Sequence, residues 1–188
     1  EKRLSGDMIL ARPIYYKALE AFHQGVLASD ANGTIRISYG TVRGYRPAPG
    51  REEYFPFTKV WQVGEKWAKY KGEFPFELPA NILEALRERR FGPYVDKEIG
   101  EVPVNFLTDL DITNGNSGSA TLNAKGEFAG IAFDGNIEGV ASDLVFMEEV
   151  TRAIHVDVRY IKWVLDAVEH AGNILEEMGV KPAFCGEK

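Results

Sequence analysis

The spacing of prolines limits what this chain can fold into more than any other feature. Between Gly44 and Pro79 it carries Pro47, Pro49, Pro56, Pro75 and Pro79, with Gly50 among them. Each proline fixes φ and lacks a backbone donor, so one long regular element is excluded there. The same stretch holds Tyr45, Tyr54, Phe55, Phe57, Trp61, Trp67, Phe74 and Phe76, bulk that argues against a loose linker. The pattern predicts an ordered excursion over 44–79, with its aromatics in core or inter-domain packing.

Periodicity organises the rest. From about Arg12 to Leu27 the residues Tyr15, Ala18, Leu19, Phe22 and Val26 fall on one helical face. Asp30-Ala31-Asn32-Gly33 supplies turn chemistry. Thr34 to Tyr39 then alternates, with Ile35, Ile37 and Tyr39 on one side, which predicts a strand continued by Thr41-Val42-Arg43. Pro79 to Arg90 reads as a short helix whose inner face is Ile82, Leu83 and Leu86, its Arg87-Glu88-Arg89-Arg90 end solvated. Val102 to Thr108 is strand-like, and Ala120-Thr121-Leu122 faces Phe128 to Phe133 across Asn123-Ala124-Lys125-Gly126, a hairpin signal. Gly139 to Phe146 suggests a further strand. A helix from Asp157 to His170 carries Ile161, Val164, Leu165 and Val168, and a helical piece from Asn173 to Met178 follows. The expected fold is about six antiparallel strands flanked by an N-terminal and a C-terminal helix.

Composition bounds the function. At 188 residues, 45% hydrophobic and 27% charged, the chain is globular, one substantial domain or two small ones. A formal net charge of −6 argues against a general electrostatic grip on nucleic acid. No apolar run approaches the roughly 18 residues that span a bilayer. Cys185 is the sole cysteine, which excludes disulfide frameworks and cysteine-rich zinc sites. The opening Glu1-Lys2-Arg3, with neither methionine nor a signal-type apolar core, suggests a piece of a longer precursor.

The run Gly115-Asn116-Ser117-Gly118-Ser119, between strand-like segments, carries the chemistry. A serine nucleophile needs an exposed hydroxyl and backbone N–H groups aimed at a developing oxyanion, and glycine beside it lets the backbone approach a substrate carbonyl. In trypsin-like proteases the run is Gly-Asp-Ser-Gly-Gly, and the donors are the amides of its first Gly and its Ser, here Gly115 and Ser117. Five residues alone also fit a glycine-rich β-turn. Asp109, Asp111, Asn114 and Gly115 resemble a calcium loop, but the Asn-Gly step comes one residue late and Ala120 stands where a bidentate Glu is needed.

The longer stretch is more specific. Asp111 to Ser119, Leu122 to Glu127 and Ala132-Phe133-Asp134-Gly135-Asn136 resemble the C-terminal part of the bacterial dipeptidyl-peptidase 7/11 family of serine peptidases. The resemblance continues through Ser142-Asp143 and Val156-Asp157-Val158-Arg159-Tyr160, and upstream through Arg36 to Tyr45. Ala120 departs from the proline such proteases usually carry. The resemblance implies a fragment of a protein several times longer: residues 1–33 as a helical segment leading out of a capping domain, and 34–188 as the C-terminal half of a chymotrypsin-like double β-barrel. It further implies removal of dipeptides from peptide N-termini, no cofactor or metal, peptide substrates, a homodimer, and export to the periplasm or beyond.

In that family Ser117 is the nucleophile, assisted by the Gly115 and Ser117 amides. Asp134 matches an aspartate that holds the substrate's free amino group, a sound charge pairing. Gly135 matches the specificity position, arginine in the branch selective for acidic second residues and glycine in the branch preferring apolar ones. Without the resemblance, Asp134 and Gly135 read as turn residues.

The serine also needs a base, normally a histidine oriented by an aspartate. The chain offers His23, His155 and His170, none in the Thr-Ala-x-His setting of the family, whose His and Asp come from the N-terminal barrel half. The expectation is a nucleophile half-site without a triad. Two other readings stay open: a non-catalytic β-rich binding or scaffold domain, and a small protease using a local histidine.

Overall fold

The computed structural model describes residues 2–24, 35, 37–142 and 145–185. Two compact units emerge, 1–37 and 38–188. The first contains helix α1 (Lys2–His23), with Pro13 inside it. It begins ten residues before the expected start at Arg12. The turn at Asp30–Gly33, Thr34, Arg36 and the expected boundary at 33/34 lie outside the described residues.

The second unit is built on a five-stranded, wholly antiparallel sheet in the order β1-β2-β5-β4-β3. Its strands are β1 (Phe57–Lys59), β2 (Pro103–Thr108), β3 (Ala120–Leu122), β4 (Phe128–Gly135) and β5 (Ala153–Asp157). In β2 the residues Val104, Phe106 and Thr108 are buried while Asn105 and Leu107 are half-buried, the two-residue alternation of a pleated strand. Pro103 opens that strand, where a missing donor costs least. The β3–β4 hairpin forms as read, its turn held by Asn123, whose Oδ1 accepts from the amides of Lys125 and Glu127 at 2.9 and 3.0 Å.

One end of the sheet is packed by helices. These are α2 (Val60–Lys69), α3 (Ala80–Arg87), α4 (Val158–Trp163), a π-helical turn over Val164–Val168, and α5 (Gly172–Glu177). Val60, Ala85, Tyr94, Val102, Val104, Trp163, Ala167 and Val168 form one buried cluster. Asp157 starts α4 by accepting from the Arg159 amide at 2.8 Å, an N-cap bond that also ties β5 to the helix. Asp166, fully buried, accepts from Tyr94 Oη at 2.7 Å and from the amides of Ala183 and Cys185 at 2.7 and 3.1 Å. That carboxylate fastens the chain's last described residues onto the core, and these donors hold its pKa below the ordinary carboxylate value against the burial that opposes them.

Several expectations change. The 44–79 excursion contains β1 and a regular helix, because no proline falls between Pro56 and Pro75 and Val60, Val63 and Trp67 share a helical face. The strand expected at 34–39 is not formed by the described residues there. Ile35, Ile37 and Tyr39 are 95%, 85% and 92% exposed, and the first bridge is Val42 with Thr108. Gly139 to Phe146 is not a strand either: a 3₁₀ turn spans Ile137–Gly139 and turns follow, while Asp143 and Leu144 lie outside the described residues. The helix expected over 157–170 is α4 followed by the π turn.

Candidate active site

Gly115 and Gly118 have φ values of +96° and +88°, a region that residues with a Cβ rarely enter. They bracket Asn116 and Ser117 and fold the run into a tight turn. Asn116 N donates to Thr113 O at 3.2 Å, Ser119 N to Asn116 O at 2.9 Å, and the Asn116 side chain accepts from Thr113 N at 3.0 Å. Two further bonds pin the turn to β4: Gly118 N donates to Ala132 O at 2.8 Å and Ala132 N to Ser119 O at 2.9 Å. The amides of Gly115 and Ser117 take part in none of these bonds.

Ser117 is exposed, and its hydroxyl donates to Phe133 O at 3.2 Å. Phe133 is the extra residue of a β-bulge, for Ala132 pairs with His155 while Asp134 pairs with the preceding β5 residue, Ile154. The bulge breaks the in–out alternation, so Phe133, Asp134 and Gly135 are all exposed. They line a cleft of about 190 Å³ together with Ser117, Asn114, Val140 and Arg152. The four residues singled out in the sequence, Gly115, Ser117, Asp134 and Gly135, thus lie in or beside one cleft.

Asp134 Oδ1 accepts from the Gly135 amide at 2.8 Å, which sets the carboxylate's orientation. Gly135 has open space around it. A Cβ built there meets only Arg152 O, at 3.8 Å, an ordinary contact.

No described histidine side chain is hydrogen-bonded to Ser117, whose hydroxyl bonds to Phe133 O. His155 is fully buried in β5 and stacks on Phe106 with ring centroids 4.8 Å apart. Its Nε2 bonds to Thr108 Oγ1 and its Nδ1 to Thr121 Oγ1, both at 2.7 Å. With both nitrogens engaged and burial lowering its pKa to about 4, it is a neutral core residue. A small protease using His155 is therefore ruled out. His170 is exposed at the end of the π turn, and the side chain of His23 lies outside the described residues. Among the described residues no group of acidic, histidine or cysteine side chains is arranged to hold a metal ion. No described helix is long and apolar enough to cross a membrane.

Two residues to which the sequence reading gave no role, Arg152 and Asn136, also line the cleft. Arg152 is 1% exposed and gives all its guanidinium donors to carbonyls, those of Gly44, Glu148, Glu149 and Thr151. Asn136 is buried and bonds in three directions. Neither stands out in sequence, since their roles depend on backbone groups brought together from distant segments.

The chain is 38% identical over 202 residues to an Asp/Glu-specific dipeptidyl-peptidase of Shewanella putrefaciens, covering 95% of this chain and 27% of that protein. It is 38% identical over 175 residues to a dipeptidyl-peptidase 7 of Capnocytophaga gingivalis, covering 88% of this chain and 24% of that protein. Among solved structures, Porphyromonas endodontalis DPP11 in complex with the dipeptide Arg-Glu superposes with a TM-score of 0.80 at 28% identity, over 89% of this chain and 24% of that one. The chain thus spans about a quarter of the length of these relatives. The family pattern of Peptidase S46 matches residues 1–180, so the turn, the bulged strand and the cleft belong to a member of the Peptidase S46 family.

Proposed function

We propose that this chain is the nucleophile-bearing part of a serine dipeptidyl-peptidase, the C-terminal half of a chymotrypsin-like double barrel. The observation that carries the reading is an exposed Ser117 at a cleft, on a turn whose Gly115 and Ser117 amides are spent on none of its internal bonds. Ser117 Oγ attacks the carbonyl of the second residue. The Gly115 and Ser117 amides take the charge that develops on its oxygen. Asp134 receives the substrate's free ammonium group, which makes an unblocked N-terminus a requirement. The base and its orienting acid come from the remainder of the protein, which works without a cofactor as an exported homodimer in the periplasm or outside the cell.

The relatives bear names from both sides of the acidic/apolar divide at the same identity, so overall similarity does not select a substrate. Gly135 favours the apolar side. It brings no charge, and an ionised side chain entering beside it would lose water without gaining a partner, at a cost of several kcal/mol. An apolar side chain would instead gain about 25 cal/mol per Å² buried. The test is dipeptide release by the full-length protein from substrates differing only in the second residue, with Ser117→Ala as control. Apolar residues are expected to be preferred and Ser117→Ala to be inactive. Release by Ser117→Ala would overturn the reading, and equal cleavage after Asp, Glu and Leu would overturn the specificity.

A further inference from the structure

Beneath the exposed Asp134-Gly135 pair sits a buried polar cluster. Asn136 Nδ2 donates to Val150 O at 2.7 Å and to Glu138 Oε2 at 2.9 Å, while its Oδ1 accepts from Arg152 N at 2.8 Å. Its backbone amide donates to Arg152 O at 2.9 Å. Glu138 Oε2 also accepts from Tyr45 Oη at 2.8 Å, and the Tyr45 ring lies under the Arg152 guanidinium, 5.7 Å from its centroid. Arg152 in turn holds Gly44 O, so segments around 44, 136–138 and 150–152 are tied together through Asn136, Glu138 and Arg152. Gly139 makes room for it: a Cβ there would fall 2.9 Å from Asn136 Oδ1 and 3.1 Å from Thr151 Cγ2.

We propose that Asn136 is a positioning residue for substrate specificity, locking the end of β4 to the 150–152 segment so that Asp134 and Gly135 are held at the cleft wall. The inference rests on the dipeptidyl-peptidase reading above. Two independent sets of bonds make it specific. The main-chain bonds that pin the Ser117 turn to β4 run through Ala132, upstream of the bulge, and only the Ser117 hydroxyl reaches the bulge residue itself, at Phe133 O. The Asp134-Gly135 wall lies downstream of the bulge, paired with Ile154 and Ala153 of β5, and the next residue, Asn136, ties it to the 150–152 segment. Loosening Asn136 therefore displaces the wall and leaves the nucleophile turn in place, which weakens substrate binding more than turnover.

The test uses the full-length enzyme with an apolar second residue, each variant compared with the unmodified enzyme at the same pH. Asn136→Asp keeps the acceptor for Arg152 N, loses both donors, and sets a carboxylate against Glu138, with Tyr45 and Arg152 the other ionisable groups facing it. Two carboxylates at that distance share a proton as the pH falls, which restores a donor. Asn136→Asp is expected to raise KM at least about fivefold near pH 8, with kcat within about twofold, and the KM ratio to close toward one by about pH 5.5. Glu138→Ala is expected to raise KM at least about threefold, and Glu138→Gln, whose amide oxygen accepts both bonds, to stay within about twofold of the unmodified enzyme. The inference is overturned if Asn136→Asp leaves KM unchanged near pH 8, if the loss is confined to kcat, or if Glu138→Gln is as impaired as Glu138→Ala. Should Asn136→Asp fail to fold, the Glu138 pair decides. Amide hydrogen exchange gives a readout independent of the peptidase reading. In Glu138→Ala, exchange should quicken at residues 134–136 and not at 115–119, and equal acceleration in both segments overturns the inference even in an inactive protein.

Discussion

At the scale of single residues, two side-chain environments make opposite demands on charge. His155 is enclosed by Phe106 and two threonine hydroxyls, with nothing anionic bonded to the ring, so burial lowers its pKa from 6.5 to about 4. An unfolded chain takes up the proton near pH 6.5 and the folded chain does not, so stability falls as pH drops from about 6.5 to about 4, by on the order of 3 kcal/mol in full. An NMR titration should find the His155 ring resonances unmoved down to about pH 5, and titration near pH 6.5 would refute the assignment. Gly135 shows the reverse case, a site with room for charge. Its φ is not in the left-handed region, and an added Cβ meets only a carbonyl at 3.8 Å. Gly135→Arg should therefore fold normally, and in the full-length enzyme it should shift preference toward Asp and Glu in the second residue. Unchanged relative kcat/KM values for acidic and apolar substrates would count against that role. At Gly118, with φ +88° and open space where a side chain would stand, alanine should cost roughly 1–2 kcal/mol through backbone strain alone, measurable as a lower Tm without a change in substrate preference.

At the scale of elements, legibility followed how local each element's cause was. The β3–β4 hairpin could be read because Asn123 and Gly126 carry the turn chemistry in sequence. Strand β2 could be read because its alternating burial is written in Val104, Phe106 and Thr108. Helix α2 was obscured by the prolines around it, although none falls within it. The alternation at Ile35, Ile37 and Tyr39 misled in a different way: a strand needs a partner as well as a pattern, and those side chains stand exposed. The run Gly115–Ser119 announced itself through composition. The bulge at Phe133 did not, since it exists only in the register between β4 and β5. That bulge turns three consecutive residues toward the cleft, where simple alternation would have hidden one of them. The Asn136–Arg152 cluster was invisible for a similar reason, its partners being main-chain carbonyls up to 108 residues away in sequence.

At the scale of the whole molecule, the proposed site has an exposed serine and a cleft wall, and no base is in place among the described residues. Ser117 Oγ donates to a main-chain carbonyl, which cannot take its proton. His155 has both nitrogens occupied and burial makes it hard to protonate, so it is a poor base where it stands. Backbone amides can stabilise an oxyanion only after something has activated the hydroxyl. In a related chemistry, loss of the base alone lowers kcat by about a millionfold. This chain by itself should therefore release no dipeptide at a measurable rate, and joining it to the rest of its protein should restore cleavage that Ser117→Ala then removes. A fluorophosphonate, which reacts efficiently only with an activated serine, separates the alternatives without a peptide substrate. Labelling of Ser117 in the full-length protein with none in the isolated chain is the expected pattern. Stoichiometric labelling of the isolated chain would mean that a base lies within it, and His170 and His23 would be the first residues to replace.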